Sequence, residues 1–508
     1  MIKQLIAFAM ILYIPLAIKL SSYLLYKPMP VIKTHVRRAD IVDSSGVLLA
    51  TTIPTQSVYI VPHEVLERDK IVDDLSAILN VDRQKIDARF NTKSKKFVWI
   101  LRHIAPWQAN AIEQLNYSGL YVAKDVRRFY PLGSLFVHII GRVDDENNGI
   151  SGIEVAFDSF LKNSNQPLKL SLSVPVQSVV KEVLDEAKAE FGAKAVYGMV
   201  VCAKTGRILA SYSQSENFDV NPHEQAQDAV NLNTHDVSER GSVFKLINAA
   251  MLLENGIVDL ETRTVCPVEY KVGWHYVHDP DKRAVECVYT FEKGFSKSSN
   301  VMLSILTFRA GIDKTVDFLR LVGMFDDMKI DSLSVERGLF PTKWTMPQCQ
   351  TSSYGHGIAT TNAQYIRAVL RVLTGYDRQL HILHDYMPSQ EKRIISESTV
   401  RKMRYLIRIA FLNAWYGKQG EIAGYDIGGK TGTANKIING KYVEKHNLCN
   451  YVFAFPAHDP KIIGVLCVDE PHATAKTHGY VMSSFIVAPL AVKLVKKIGP
   501  ILGVVAKV

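Results

Sequence analysis

The segment Arg240–Gly256 places the strongest constraint on how this chain can fold. The residues in Val243–Leu253 are mostly good helix formers with apolar side chains on more than one side, and Asn255-Gly256 provides a C-terminal stop. The pattern predicts a largely buried helix that opens at Ser242. A serine there lies at the positive end of the helix dipole, and Lys245 at i+3 lies on the same face. The segment therefore predicts a nucleophile beside a base.

Ser-x-x-Lys is a short pattern, and by itself it more often marks a helix surface than a catalytic dyad. The chain contains a second copy at Ser178 and Lys181. The copy at Ser242 differs because two further motifs follow it, Ser298–Asn300 and Lys430–Thr433. The order Ser-x-x-Lys, Ser-x-Asn, Lys-Thr-Gly resembles that of the penicillin-recognising active-serine enzymes. Ser242 is therefore the candidate nucleophile.

Lys-Thr-Gly also occurs twice. The copy at Lys204–Gly206 lies between the apolar runs Val196–Val201 and Ile208–Ala210, which predicts two strands closed by a tight polar turn. The copy at Lys430 follows Gly428-Gly429, small residues that let another backbone approach a strand closely. We therefore expect Lys430 on the strand that forms the site, and Lys204 in a hairpin turn.

The chain resembles the class B penicillin-binding proteins, which are monofunctional peptidoglycan transpeptidases. Family-like segments also occur at Arg38–Ala50, Arg127–Pro131 and Gly149–Glu154, and the short interval from Gly141 to Gly149 resembles the division enzymes. The resemblance implies an α/β fold, with a penicillin-binding transpeptidase (β-lactamase-like) sheet flanked by helices, an elongated N-terminal pedestal domain and one transmembrane helix. The implied domains are the anchor at 1–27, the non-catalytic pedestal at 28–169 and the transpeptidase domain at 170–508.

The resemblance also implies the roles of the site residues. Ser242 attacks the carbonyl between the terminal D-alanines of a donor stem peptide, and Lys245 accepts its proton once burial and a nearby cation lower its pKa. Ser298 relays a proton to the leaving amine, and Asn300 holds the substrate backbone. The backbone N–H groups of Ser242 and Thr433 form the oxyanion hole. A lysine cation and two threonine hydroxyls bind the substrate carboxylate, and the strand that carries these three residues pairs with the peptide. The substrate-binding residues are Lys430, Thr431, Gly432 and Thr433.

Two local features affect this assignment. Asn300 is also a candidate N-cap for the helix predicted to begin near Val301, since asparagine is a favoured cap, and the two roles are compatible. Arg240 stands where the family usually has a proline before Gly-Ser. We expect the loop to accept this arginine.

The composition excludes several other classes of function. The formal net charge of +10 is mild for 508 residues and is not clustered into a basic stripe with interleaved aromatics, so nucleic acid is not an expected partner. The 6 cysteines form no Cys-x-x-Cys pair and the histidines have no ligand spacing, so we expect neither a metal nor another cofactor. Cys266 and Cys287 flank one polar segment, and whether they form a disulfide stays open.

An apolar stretch at Leu5–Tyr26 has about the length that a bilayer requires, roughly 20 residues. No small-x-small cleavage site follows it, which favours an uncleaved anchor. More positive residues follow the stretch than precede it, and the positive-inside rule would then place the bulk in the cytoplasm. The resemblance implies the opposite, a single-pass protein of the cell inner membrane with its catalytic domain on the periplasmic side. Prolines and lysines interrupt the apolar segment Phe485–Val508, which we expect to pack on the sheet as a helix.

Other functions share some of these features. A β-lactamase has the same three motifs but needs a glutamate that activates water, and no residue between Asn300 and Lys430 stands out for that role. A bifunctional enzyme is excluded because the region before residue 170 leaves no room for a glycosyltransferase beside the pedestal. A β-lactam-binding sensor or a non-catalytic division scaffold stays open as the alternative. The implied partners are peptidoglycan stem peptides, β-lactams, the membrane, a polytopic glycan polymerase and other division proteins.

Overall fold

The chain packs as two units in the computed structural model, which describes residues 37–91, 97–215, 230–281, 285–386, 391–414, 416–417, 425–438 and 440–504. One unit contains residues 52–129, and the other contains residues 39–51 and those from 130 onward. These packing units do not divide at residue 170, because residues 39–51 and 130–169 pack with the C-terminal part of the chain. The predicted anchor at Leu5–Tyr26 lies outside the described residues. Within the described ranges, no helix is both long enough and apolar enough to cross a membrane.

Strands occur in both units. In order, they are β1 (Ile41–Val42), β2 (Leu48–Ile60), β3 (Val98–Ile104), β4 (Leu120–Phe129), β5 (Leu168–Lys169), β6 (Ala195–Cys202), β7 (Ile208–Ser215), β8 (Arg263–Cys266), β9 (Glu269–Val272), β10 (His275–His278), β11 (Cys287–Thr290), β12 (Lys329–Ile330), β13 (Leu333–Ser334), β14 (Gly428–Ile438), β15 (Lys441–Phe455) and β16 (Ile462–Asp469).

The helices are mostly in the second unit. In order, they are α1 (Arg68–Leu79), α2 (Arg83–Phe90), α3 (Pro106–Leu115), α4 (Val137–Ile140), α5 (Gly152–Ala156), α6 (Asp158–Asn163), α7 (Val174–Phe191), α8 (Leu232–His235), α9 (Lys245–Glu254), α10 (Phe291–Ser296), α11 (Asn300–Ala310), α12 (Ile312–Leu321), α13 (Met346–Ser352), α14 (Asn362–Thr374), α15 (Glu397–Leu412) and α16 (Ser483–Ile501). Short 3₁₀ turns lie at Pro62–Glu64, Gly133–Leu135, Gly241–Phe244 and Ala475–Thr477.

The large sheet of the second unit has the strand order β14-β15-β16-β6-β7, and its pairings are antiparallel. Strand β14 lies at one edge, with Lys430 opposite Val452 and Gly432 opposite Asn450 on β15. Strands β6 and β7 form the predicted hairpin, and Lys204–Gly206 lies in the turn between them. One Lys-Thr-Gly copy is therefore on an edge strand and the other is in a turn, as the sequence predicts.

Helices cover both faces of this sheet, which confirms the predicted α/β arrangement. Successive residues of a strand point to opposite faces, so β15 supplies both cores. Phe453 packs in a cluster with Leu184 of α7 and Val495 of α16. Val452 packs on the other side, in a cluster with Leu246 of α9. The predicted helix at the C-terminus is thus α16, and it packs on the sheet.

In the first unit, helices α1 to α3 pack with strands β2 and β3 around an apolar cluster. Asp125 of β4 is buried, and it accepts hydrogen bonds from Ser57 of β2 at 2.6 Å and from Arg102 of β3 at 3.0 Å. A buried carboxylate needs such partners, because an isolated one is costly to desolvate. The three strands are therefore joined through one side chain as well as by their backbones.

Cys266 and Cys287 lie directly opposite each other on β8 and β11. Both are thiols in this structure. Opposite Cα atoms of antiparallel strands are about 4.5–5.5 Å apart, which is within the range of disulfide geometry. The register therefore permits the disulfide that the sequence leaves open.

Candidate active site

The nucleophile motif begins with a 3₁₀ turn at Gly241–Phe244, and α9 begins only at Lys245. The prediction that the helix opens at Ser242 is therefore early by one turn. The reason is local packing, since Gly241 has φ +57° and a Cβ on it would lie 2.7 Å from the carbonyl oxygen of Thr433. Only glycine allows both this conformation and this approach. The turn holds half-buried Ser242 against β14.

The side chain of Lys245 is 0% exposed. Its Nζ hydrogen-bonds the carbonyl oxygen of Ser298 and also contacts Ser298 Oγ at 2.9 Å. Burial, helped by the charge of Lys430, holds the pKa of Lys245 well below its usual value, although Asp279 opposes the shift. The lowered pKa favours the neutral form of this amine, which lies one turn from Ser242 and can then act as a base.

Ser298 connects the first and third motifs. Its Oγ lies 2.9 Å from Lys245 Nζ and 3.0 Å from Lys430 Nζ. Its backbone has φ +59°, a left-handed conformation that is uncommon outside glycine and costs free energy, and such residues cluster at functional sites. The arrangement can pass a proton between two amines through one hydroxyl.

Lys430 is also buried, and burial lowers its pKa to about 8. Its Nζ bonds Ser298 Oγ and the carbonyl oxygen of Thr431 at 3.2 Å. Lys430 therefore keeps most of its charge at neutral pH. This charge in the same pocket favours the neutral form of Lys245.

The second motif is held by an aspartate that sequence reasoning missed. Ser299, not Asn300, is the N-cap of α11, because Ser299 Oγ accepts from Met302 N at 3.0 Å. The predicted cap role of Asn300 is therefore wrong; its amide donates to the carbonyl oxygen of His278 at 2.8 Å. Asp279 accepts from Ser299 Oγ at 2.9 Å and from Val301 N at 3.0 Å. No short pattern marks Asp279, which lies outside the motif in sequence.

The third motif divides between the two faces of β14. A Cβ on Gly432 would lie 2.6 Å from the backbone nitrogen of Val243, so this glycine lets the nucleophile turn approach the strand. The Thr433 hydroxyl bonds Ser483. Lys430 contacts Ser298, whereas the Thr433 hydroxyl has its partner at the start of α16.

The unusual arginine before the nucleophile is accommodated by burial. Arg240 is 1% exposed, and its guanidinium donates to the carbonyl oxygens of Thr360 at 3.0 Å and Asp236 at 2.9 Å. It also forms an ion pair of 3.6 Å with Asp236. The planar donor set of arginine matches these fixed acceptors, so the loop accepts it as expected.

The second Ser-x-x-Lys copy is a helix surface pair, as the simpler interpretation predicts. Ser178 is exposed on α7, and its hydroxyl donates to the carbonyl oxygen of Val174 at 2.9 Å. Lys181 forms an ion pair with Asp185. Among the residues that the structure describes, neither side chain hydrogen-bonds to the other two motifs.

Comparison with known proteins decides the family. Residues 196–488 match the penicillin-binding protein transpeptidase domain, and residues 33–167 match the penicillin-binding protein dimerisation domain. The first match covers more than half of the chain and contains all three motifs. The chain belongs to the class B penicillin-binding proteins.

Relatives of this penicillin-binding protein span nearly its full length. The probable peptidoglycan D,D-transpeptidase FtsI of Caulobacter vibrioides is 28% identical over 92% of this chain and 82% of its own. Peptidoglycan D,D-transpeptidase FtsI of Escherichia coli is 28% identical over 88% of this chain and 81% of its own. A peptidoglycan synthetase from Bifidobacterium adolescentis has a similar solved structure, with a TM-score of 0.73, 18% identity and coverage of 94% of this chain and 97% of its own. That last likeness supports the fold.

A second group that sequence reasoning missed lies beside the nucleophile turn of this penicillin-binding protein. The Glu239 carboxylate accepts from Gly357 N at 2.7 Å and from the Tyr442 hydroxyl at 3.0 Å. Between Tyr354 and Tyr442 lies His356, with ring centroids 5.2 and 5.8 Å away. Burial, together with the charge of Lys245, lowers the pKa of His356 to about 4, so its ring is neutral at physiological pH. The two glycines around His356 were the sequence signal for a close approach.

Replacing Asp279 by Asn tests how the second motif is held. We expect acylation by penicillin to slow about tenfold, because a charged hydrogen bond to Ser299 or Val301 is weakened. Asp279 raises the pKa of Lys245, so its removal lowers that pKa further and shifts the rising limb of the acylation pH profile to lower pH. The measurement is the second-order acylation rate against pH. Asp259→Asn, which changes an exposed carboxylate paired with Lys402, is the control. A rising limb that does not move would contradict the assignment.

Proposed function

We propose that this chain is a serine-type peptidoglycan D,D-transpeptidase that cross-links stem peptides and is acylated by β-lactams. The observation that carries the proposal is the position of Ser298 Oγ, which lies 2.9 Å from Lys245 Nζ and 3.0 Å from Lys430 Nζ. Lys245, whose pKa is lowered, follows Ser242 by one turn. This arrangement supplies a nucleophile, a base and a proton relay. The family and the names of its relatives agree with it.

In the first half-reaction, Ser242 Oγ forms a bond to the carbonyl carbon between the two terminal D-alanines. Lys245 takes the serine proton, because its lowered pKa favours the neutral form that can act as a base. The C–N bond then breaks, and Ser298 passes its hydroxyl proton to the leaving D-alanine amine while taking a proton from Lys245, which becomes neutral again. The backbone N–H groups of Ser242 and Thr433 stabilise the oxyanion, where one donor is worth roughly 2.7–4 kcal/mol. The product is an acyl-enzyme and D-alanine.

In the second half-reaction, an amine of a neighbouring stem peptide attacks the ester carbonyl. The amine loses a proton to Lys245, and Ser242 Oγ regains one as the ester bond breaks. The product is a peptide cross-link. A β-lactam undergoes only the first half-reaction. Its leaving amine stays tethered to the acyl group and blocks the approach of the acceptor amine.

The strand that carries Lys430–Thr433 binds the substrate as an added strand, because β14 lies at the sheet edge. Lys430 supplies the cation for the terminal carboxylate, with Thr431 and Thr433 as hydroxyl donors. Gly432 leaves room for the nucleophile turn. The side-chain amide of Asn300 donates to the carbonyl oxygen of His278. When substrate binds, this amide would donate to the substrate backbone instead.

We assign residues 1–27 to a transmembrane anchor, 28–169 to an elongated non-catalytic pedestal and 170–508 to the transpeptidase domain. The family matches at 33–167 and 196–488 support the boundary between the second and third of these parts. The chain would act in septal wall synthesis, as the names of its FtsI relatives suggest, beside a polytopic glycan polymerase and other division proteins. It would lie in the cell inner membrane with the catalytic domain in the periplasm.

A cross-linking assay separates this function from its rivals. Full-length protein is given a stem-peptide donor ending in D-Ala-D-Ala, with and without an amine acceptor, and released D-alanine and cross-linked product are measured. We expect D-alanine release to rise with the acceptor and cross-links to accumulate. Rapid hydrolysis of penicillin would indicate a β-lactamase, and stable acylation without any cross-link would indicate a sensor or scaffold.

The proposed membrane topology can be tested with reporter fusions. A reporter that is active only outside the cytoplasm is fused after Ile60 and, separately, after Val508. We expect activity from both fusions, because cross-linking takes place beyond the membrane and Ser242 must lie there too. Activity from the first fusion alone would mean a second membrane span. Activity from neither would mean that the positive-inside count was the correct guide.

A further inference from the structure

Ser483, the first residue of α16, is packed against the third motif and is 1% exposed. Its hydroxyl donates to the carbonyl oxygen of Gly432 at 2.7 Å and accepts from the backbone nitrogen of Asn450 at 3.2 Å. Gly432 and Asn450 face each other across β14 and β15. Ser483 therefore joins the start of a helix to both strands at the level of the site.

The hydrogen bonds of Ser483 determine which atom the Thr433 hydroxyl donates its proton to. A serine hydroxyl has one proton, and the proton of Ser483 goes to Gly432. The 2.9 Å bond between Ser483 Oγ and Thr433 Oγ1 must then use the proton of Thr433. Thr433 Oγ1 also accepts from the backbone nitrogen of Ser483 at 3.0 Å. The Thr433 hydroxyl is thus engaged as donor and as acceptor by the same residue. The thiol of Cys449 lies beside both hydroxyls, but sulfur is a weak acceptor.

We propose that Ser483 is a positioning residue that holds the proton of Thr433 and thereby sets how strongly the site engages a substrate carboxylate. The inference rests on the proposed function, in which Thr433 donates to that carboxylate. A ligand with a carboxylate exchanges the neutral Thr433–Ser483 bond for a charge-assisted one. An uncharged ligand gains much less from the exchange. Ser483 therefore acts on the discrimination between charged and uncharged ligands.

The test compares a penicillin with its methyl ester on the full-length protein. The ratio of their second-order acylation rates is measured for the wild type, Ser483→Ala and Ser483→Gly. Both variants remove Oγ, so the proton of Thr433 becomes available, while the backbone N–H of residue 483 still orients Thr433 Oγ1. We expect the acid-to-ester ratio to rise about tenfold, which is the factor that one hydrogen bond of ordinary net strength supplies. Ser484→Ala, the next residue on α16, should leave the ratio unchanged.

A general loosening of the fold would slow both ligands alike, so the ratio separates a positioning role from a structural one. Adding Thr433→Ala to Ser483→Ala should abolish the rise, because the released proton is then absent. A ratio that is unchanged or lower in both Ser483 variants would overturn the proposal. If the wild type is acylated by neither ligand, the proposed function itself fails. Acylation with an unaltered ratio would instead refute the role of Ser483 alone.

Discussion

Ser242→Ala is expected to abolish covalent labelling of the full-length protein by penicillin, a loss of about 10⁶-fold in the rate of the chemical step, as for other serine nucleophiles. The reason is that Ser242 precedes Lys245 by one turn, and the buried amine of Lys245 has a lowered pKa that favours its basic form. Ser298 Oγ bonds both amines, but it occupies a strained loop in a relay position. The measurement is fluorescence of a labelled penicillin on the denatured protein, followed by mapping of the adduct peptide.

Ser178→Ala is the matched control, because it removes the serine of the other Ser-x-x-Lys copy. That variant should be labelled at the wild-type rate, since Ser178 is exposed and bonds only its own helix. Label retained in Ser242→Ala, or an adduct that maps to any other residue, would remove the basis of the site assignment.

Lys430→Ala is expected to slow acylation by about 10²-fold or more, the scale at which positioned proton-transfer groups act. Three contributions disappear together: the cation for the carboxylate, the donor to Ser298 Oγ and the charge that lowers the pKa of Lys245. Lys204→Ala is the control in the other Lys-Thr-Gly copy, and it should change the rate little because Lys204 lies in a hairpin turn. Equal slowing by the two substitutions would contradict the assignment of the site strand.

The lowered pKa of Lys430 predicts that the acylation rate falls again at high pH. Lys245 has a lowered pKa, so the active neutral form appears as pH rises; Lys430, with its pKa lowered to about 8, loses its charge as pH passes that value. The rate should therefore rise, reach a plateau and fall near pH 8. Lys430→Arg keeps a charge at every accessible pH and should remove the fall from that range. A fall that stays near pH 8 in this variant would assign it to another group.

The sheet, the hairpin and the three motifs could be predicted from sequence because each depends on local patterns. The apolar runs Val196–Val201 and Ile208–Ala210 and the small residues before Lys430 are readable from the chain itself. The 3₁₀ turn at Gly241–Phe244 could not be predicted, because it results from contact with β14, nearly two hundred residues later in the chain. Local propensity favoured a helix there, and tertiary packing overrode it.

The supporting residues of the site were missed for a related reason. Asp279, Glu239 and Ser483 act through contacts with residues that are distant in sequence or belong to a different element. A motif records only the side chains that lie next to one another along the chain. The residue that caps α11 was also misassigned, because both Ser299 and Asn300 are good caps and only the backbone geometry distinguishes them.

The contact between the nucleophile turn and its surroundings is made by backbone atoms on both sides. Gly241 meets Thr433, Gly432 meets Val243 and Gly355 meets Gly241, and a β-carbon at any of the three glycines would collide with main-chain atoms. Spontaneous substitutions at these positions would disable the enzyme instead of tuning it. Under antibiotic selection, we therefore expect adaptive change at side chains beside this contact, such as Ser483 and His356, and not at the three glycines.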